Sequence, residues 1–140
     1  FASATVSFEM TLPQIRDVGK AVPCERLVYG RLPLMILEKC VGRELGSCDD
    51  CTSGRTQLVD RKGVAFPVLR EWEHRSVIYN SLPTCLSDRM DTLRAAGLGG
   101  EHYIFSTESR AECEKVIRAF REGSPLDREV RRLVKPSLSK

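Results

Sequence analysis

Glu25-Arg26-Leu27-Val28-Tyr29-Gly30, set between Pro23 and Arg31, decides the fold class of this chain. It is a short apolar run bounded by turn-forming residues, which is the character of a strand buried inside a parallel sheet. Upstream, Ala4-Thr5-Val6-Ser7-Phe8-Glu9-Met10 reads as another buried strand. Between the two, Thr11 is placed to cap a short helix with Pro13 in its first turn, running through Ile15 and Val18 to Gly19. Strand, helix, strand is a βα unit, so the N-terminal part is predicted to be α/β.

Downstream the style changes. The apolar run Leu32-Pro33-Leu34-Met35-Ile36-Leu37 leads to Cys40, and a loop with Gly42, Gly46 and Asp49-Asp50 carries Cys48 and Cys51. Thr56 to Asp60 and Val64 to Leu69 flank Arg61-Lys62-Gly63, the turn chemistry of a β-hairpin. Ser76-Val77-Ile78-Tyr79-Asn80 is a further strand, directly after His74. This middle region is predicted to be a small β module with its candidate ligands on loops. The last third returns to α/β: a helix capped at Ser87 or Asp88 and ending near Gly97, a strand at Tyr103-Ile104-Phe105, and a helix opened by a Ser109/Glu112 capping box. In that last helix Cys113, Val116, Ile117 and Phe120 fall on one face, which makes Cys113 a core residue rather than a ligand. His102 reads as a surface residue, and Asp127 to Lys140 as a frayed basic tail.

The chain has 140 residues, enough for one ordinary core. At 41% hydrophobic and 29% charged residues it has the composition of a globular protein, and no apolar run approaches the roughly 20 residues that span a bilayer. A net charge of +3 is too small to argue for nucleic acid by itself. No signal peptide is evident, so the expected setting is cytoplasmic and the six cysteines are not expected to pair as disulfides. Their clustering agrees, because Cys40, Cys48 and Cys51 follow a C-x7-C-x2-C spacing while Cys24, Cys85 and Cys113 are scattered. Three thiols and the imidazole of His74 suit zinc or an iron–sulfur cluster. Cys85, after Pro83-Thr84, is the alternative fourth donor. The chain opens on Phe1, and is expected to be a piece of a longer protein.

Taken in order, the strings Val6-Ser7-Phe8-Glu9, Val28-Tyr29-Gly30-Arg31-Leu32-Pro33-Leu34-Met35, Leu58-Val59-Asp60-Arg61-Lys62-Gly63 with Phe66-Pro67-Val68, Ile78-Tyr79-Asn80-Ser81 and Phe105-Ser106-Thr107-Glu108 resemble the C-terminal part of the peptidase U32, or collagenase-like protease, family. The resemblance covers about residues 4 to 123. It implies the last βα units of a TIM-like (β/α) barrel over residues 1–39, a cysteine-containing β module over 40–82, an α/β segment over 83–123 and a flexible basic tail over 124–140. In such barrels active residues sit at the C-terminal ends of the strands, which would place Glu9 and Arg31 near the mouth. Their plainer roles are an ion pair for Glu9 and a tie for the chain at Arg31.

Members of the family that act in RNA modification or quinone pathways resemble iron–sulfur hydroxylation factors more than peptidases. The family's cluster pattern maps onto Cys40, Cys48, Cys51 and the position of His74, where the family has cysteine. The resemblance therefore implies a [4Fe-4S] cluster and oxidative modification of RNA or a small aromatic substrate. A metal-dependent peptidase and a structural zinc module are the alternatives, since four protein ligands close a zinc site to substrate. No G-x-S-x-G or H-E-x-x-H string supports a peptidase. Expected partners are the remainder of the barrel, an RNA or peptide substrate, no membrane, and a second copy through exposed strand edges.

Overall fold

The computed structural model describes residues 2–44, 46 and 56–130. Its elements are β1 (Ala4–Val6), α1 (Leu12–Gly19), β2 (Cys24–Gly30), β3 (Pro33–Leu37), α2 (Val41–Glu44), β4 (Gln57–Val59), β5 (Ala65–Arg70), β6 (Ser76–Tyr79), β7 (Thr84–Cys85), α3 (Met90–Ala95), β8 (Leu98–Tyr103) and α4 (Arg110–Glu122). Short 3-10 turns cover Trp72–His74 and Ser87–Arg89. The chain divides into two compact units, one of residues 1–30 with 84–140, the other of residues 31–83.

β2 organises the first unit. It pairs parallel with β1 on one side, Ala4 opposite Cys24 and Val6 opposite Arg26, and parallel with β8 on the other, from Cys24–Leu98 to Tyr29–Tyr103. β7 adds antiparallel at its end, Tyr29 opposite Cys85. Being central, β2 is buried along its length, as its apolar run requires. Its one charged core residue, Arg26, is 1% exposed and donates from Nη1 to the Met10 carbonyl and from Nη2 to the Phe8 carbonyl, each at 3.0 Å. These bonds hold the turn after β1, and burial pulls the guanidinium below its ordinary pKa. Gly30 ends the strand at φ +143°, where a Cβ would lie 2.7 Å from the Ile104 carbonyl oxygen, so only glycine permits this approach.

Val28, Tyr29, Leu86, Met90, Leu93, Leu98, Val116 and Phe120 form the main core with Cys85, and Val6, Ile15 and Cys24 a smaller cluster under α1. α1 opens as its sequence predicts: the Thr11 N–H donates to Gln14 Oε1 at 2.8 Å. α4 has the Ser109/Glu112 capping box and stops at Gly123, φ +63°. Its buried stripe is Val116, Ala119 and Phe120, whereas Ile117 is 41% exposed and Cys113 half-buried. The strand expected at Tyr103-Ile104-Phe105 instead ends at Tyr103, because Leu98 to Tyr103 is the stretch in register with β2. Leu126 and Val130, in the segment expected to fray, pack against the main core.

The second unit is an antiparallel sheet in the order β3-β6-β5-β4. The β4–β5 hairpin turns at Gly63, φ +79°, with Asp60 Oδ1 accepting from the Lys62 and Val64 N–H groups at 2.7 and 2.9 Å.

The TIM-like barrel is a correction. The described residues form two four-stranded sheets with mostly antiparallel pairings and no closure. The β1–α1–β2 unit is parallel, but β7 meets β2 antiparallel and β8 comes back to β2 from the far end of the chain. A βα pattern read locally is the same in an open sheet and in a barrel; the difference lies in which distant strand takes the next edge.

Candidate metal centre

Cys40 lies just past β3, whose last residue, Leu37, pairs with Ser76 at the start of β6. The Val41 N–H donates to Ser76 Oγ at 3.0 Å, and the Glu44 N–H returns to the Cys40 carbonyl at 3.2 Å. These bonds seat Cys40, 6% exposed, at that end of the sheet. His74 approaches the same end from the other strand, two residues ahead of Ser76 and exposed. Antiparallel register therefore brings the first and last candidate ligands to one edge, although thirty-odd residues separate them in the chain.

The His74 turn is held from both sides. The Glu71 N–H donates to the Arg75 carbonyl at 2.8 Å, Arg75 Nε donates to Glu38 Oε2 at 2.9 Å, and the Tyr79 hydroxyl donates to Glu71 Oε1 at 3.0 Å. Burial, aided by the Glu71 carboxylate, pushes Tyr79 up to about 12. Inside this frame Glu73 and His74 adopt φ +55° and +65°, left-handed conformations that cost non-glycine residues roughly 1–2 kcal/mol each. Such strain persists where surrounding structure over-determines it, and it clusters at functional sites.

Cys48 and Cys51 lie outside the described residues, and among the described residues no three His, Cys, Asp or Glu side chains come together as a metal site. On the donors that are described, the chemistry fits a thiolate and imidazole centre: Cys40 is seated in the module and His74 is held in a strained turn at the same edge. Cys85 belongs to the first unit, 2% exposed, its Sγ donating to Ser87 Oγ at 3.4 Å. Arg31 binds the end of β6 through Nη1 to the Asn80 carbonyl at 2.9 Å and to the Ser81 carbonyl. Glu9 is exposed in the turn after β1, where its N–H donates to Ser7 Oγ at 3.2 Å.

A second polar cluster, in the first unit, escaped the sequence reading. Glu108, with a side chain 1% exposed, accepts from the Ser106 and Thr107 N–H groups at 2.8 and 3.1 Å and from the Tyr29 hydroxyl at 3.0 Å. Arg128 lies 3.6 Å from Glu108 and 3.3 Å from Glu112, donates to the Tyr29 hydroxyl, and sits 5.8 Å from that ring's centroid. Burial alone would raise the Glu108 pKa, but the Ser106, Tyr29 and Thr107 donors outweigh it and hold the carboxyl below its ordinary value. Burial and the facing Glu108 push the Tyr29 hydroxyl far up. The signal in the sequence was Glu108 one residue before a helix cap, where N–H groups converge.

No family model, curated protein or solved structure matches this chain. Among the described residues no helix is long and apolar enough to cross a membrane.

Proposed function

We propose that residues 31–83 are a metal-binding module in which Cys40, Cys48, Cys51 and His74 hold a [4Fe-4S] cluster, in a U32-type protein that oxidatively modifies RNA or a small aromatic substrate. The observation that carries the reading is a core too thin for the unit's size. Among its described residues the buried apolar side chains are Leu32, Cys40, Val68 and Val77 with Pro67 and Pro83, and one of these is itself a proposed ligand. Units this small usually need a metal or another cross-link, because little apolar surface leaves water on folding. The cluster, when bound, supplies one-electron transfer. The chain's own residues would supply the cage: three thiolates set its charge, and the turn that carries His74 is flanked by the Arg75–Glu38 and Tyr79–Glu71 contacts.

A closed set of four protein donors also supports structural zinc, the second reading. Elemental analysis with an anaerobic absorption spectrum separates them. Iron and acid-labile sulfide with a broad visible band that bleaches on reduction is the expected result. A colourless protein holding zinc establishes the second reading, and a folded chain that holds neither metal refutes both.

A further inference from the structure

We propose that the first unit carries a separate binding site, for a planar aromatic monocarboxylate, in the cavity between β8 and α4. The cavity measures about 470 Å³, within the range of small-molecule sites. Its floor is aromatic. The Tyr103 and Phe105 rings lie within 11° of parallel at 6.5 Å, and Phe120 meets Tyr103 edge-on at 4.9 Å, so three rings are braced against one another. Phe105 and Ile117 remain 37% and 41% exposed at the cavity, an apolar surface ready to take a flat ring.

Charge at the rim selects the rest of the ligand. Arg94 Nη2 is engaged by Glu101 at 2.7 Å, and Glu101 also accepts from the Tyr103 hydroxyl, so that pair is neutral and fixed. Arg121 lines the same cavity and makes no hydrogen bond or ion pair among the described residues. A guanidinium with no ion-pair partner among the described residues, beside aromatic rings, complements one carboxylate on an aromatic ring, with its two oxygens matched to the guanidinium fork. One guanidinium balances one negative charge, so a dianion such as a phosphate monoester would keep an uncompensated charge at the rim. The site draws on no residue of the proposed metal centre, so it stands or falls separately.

Titration of the full chain with 2-naphthoate, followed by calorimetry and by backbone amide shifts, tests it. Saturable binding that moves the Phe105, Ile117 and Arg121 resonances is expected. Arg121→Gln, an exposed helical position that leaves the core intact, should weaken binding at least about tenfold, the scale of one charged hydrogen bond. Phe105→Leu should weaken it too, and cyclohexanecarboxylate should bind less well than 2-naphthoate. Naphthoate affinity unchanged by Arg121→Gln, shifts confined to another surface, or tighter binding of 2-naphthyl phosphate than of 2-naphthoate would each overturn the assignment.

Discussion

The two units reach order by different routes. In the unit of residues 1–30 and 84–130, a central strand is covered by helices, Tyr29, Val28, Leu86, Leu93 and Val116 are all but inaccessible to water, and the buried side chains join into two apolar clusters. In the unit of residues 31–83 four strands pair in antiparallel register, yet neither apolar cluster includes any of its described residues. Its β3 leaves Leu34, Met35 and Ile36 more than half exposed, and Trp72 is 73% exposed. Backbone pairing alone defines a sheet but contributes only about 0.5–1.5 kcal/mol net per bond, so it does not offset the entropy of ordering the chain. The contrast teaches where the first unit's stability resides, in apolar packing, and the proposed metal centre would supply to the second the cross-linking that its packing lacks.

The severest test of that contrast is Cys40→Ser. If the second unit depends on its metal, the variant should lose metal content, and amides of β3, β5 and β6 should exchange orders of magnitude faster. Structural metal sites contribute on the order of 10 kcal/mol to folding. Protection at Val28 and Tyr29 should persist. Retained protection across residues 31–83 in the metal-free variant would dissolve the distinction between the units.

Next in size is Leu93→Ala in the first unit. Leu93 is 1% exposed in the main core, and truncating a buried leucine costs about 2–5 kcal/mol through lost transfer energy and the cavity left behind. Thermal unfolding should show the first unit's transition lowered while metal content stays at the wild-type level. A loss of metal in this variant would mean that the units unfold together.

How legible this was in the sequence follows the same division. Helix starts were readable because their signals are local: Thr11 and the Ser109/Glu112 pair occupy the capping positions that their types predict. The 60–64 turn was readable from Asp60 and Gly63 for the same reason. Barrel closure was not, because the choice between an open sheet and a barrel depends on β8 returning to β2 across some seventy residues. Glu108 and Arg128 were missed as a pair because the carboxylate precedes a helix and the guanidinium follows it, so no periodicity joins them. Of the candidate ligands the thiol spacing was visible, whereas the placing of Cys40 and His74 toward the same end of the sheet needed the β3–β6 register.

Glu108→Gln probes a buried polar cluster in the unit otherwise held by packing. The substitution keeps the shape but removes the charge facing Arg128 and the acceptor strength on which the Ser106, Thr107 and Tyr29 donors rely, a loss of about 1–3 kcal/mol at neutral pH. Because the folded pKa lies below the ordinary 4.5, the native carboxylate stabilises fully above that value and its contribution disappears as pH falls through the lower folded pKa. Urea midpoints from pH 7 down to pH 3 should therefore decline in the wild type and converge with the variant at the acid end. A constant gap between the two curves would show that ionisation of Glu108 is not what stabilises the cluster.

The smallest expected effect belongs to Ser109→Ala. Ser109 Oγ accepts from the Glu112 N–H at 3.4 Å, while Glu112 Oε2 takes the Ser109 N–H at 2.8 Å, so the pair satisfies donors at the start of α4 that have no partner within the helix. Alanine removes the hydroxyl and with it one half of the box, at about 1 kcal/mol. It also frees Glu112 from the Ser109 hydroxyl at 2.7 Å, and Glu112 is a partner of Arg128, so the latch that carries Arg128 to Tyr29 is touched indirectly. A double-mutant cycle with Glu112→Gln separates the two contributions. If Ser109 acts only as a cap, its effect should persist in the Glu112→Gln background, because the bond from the position-112 N–H survives there and glutamine can still accept the Ser109 N–H. An effect that shrinks markedly in that background would place part of its origin in the bond from the Ser109 hydroxyl to the Glu112 carboxylate, and so in the charge that faces Arg128.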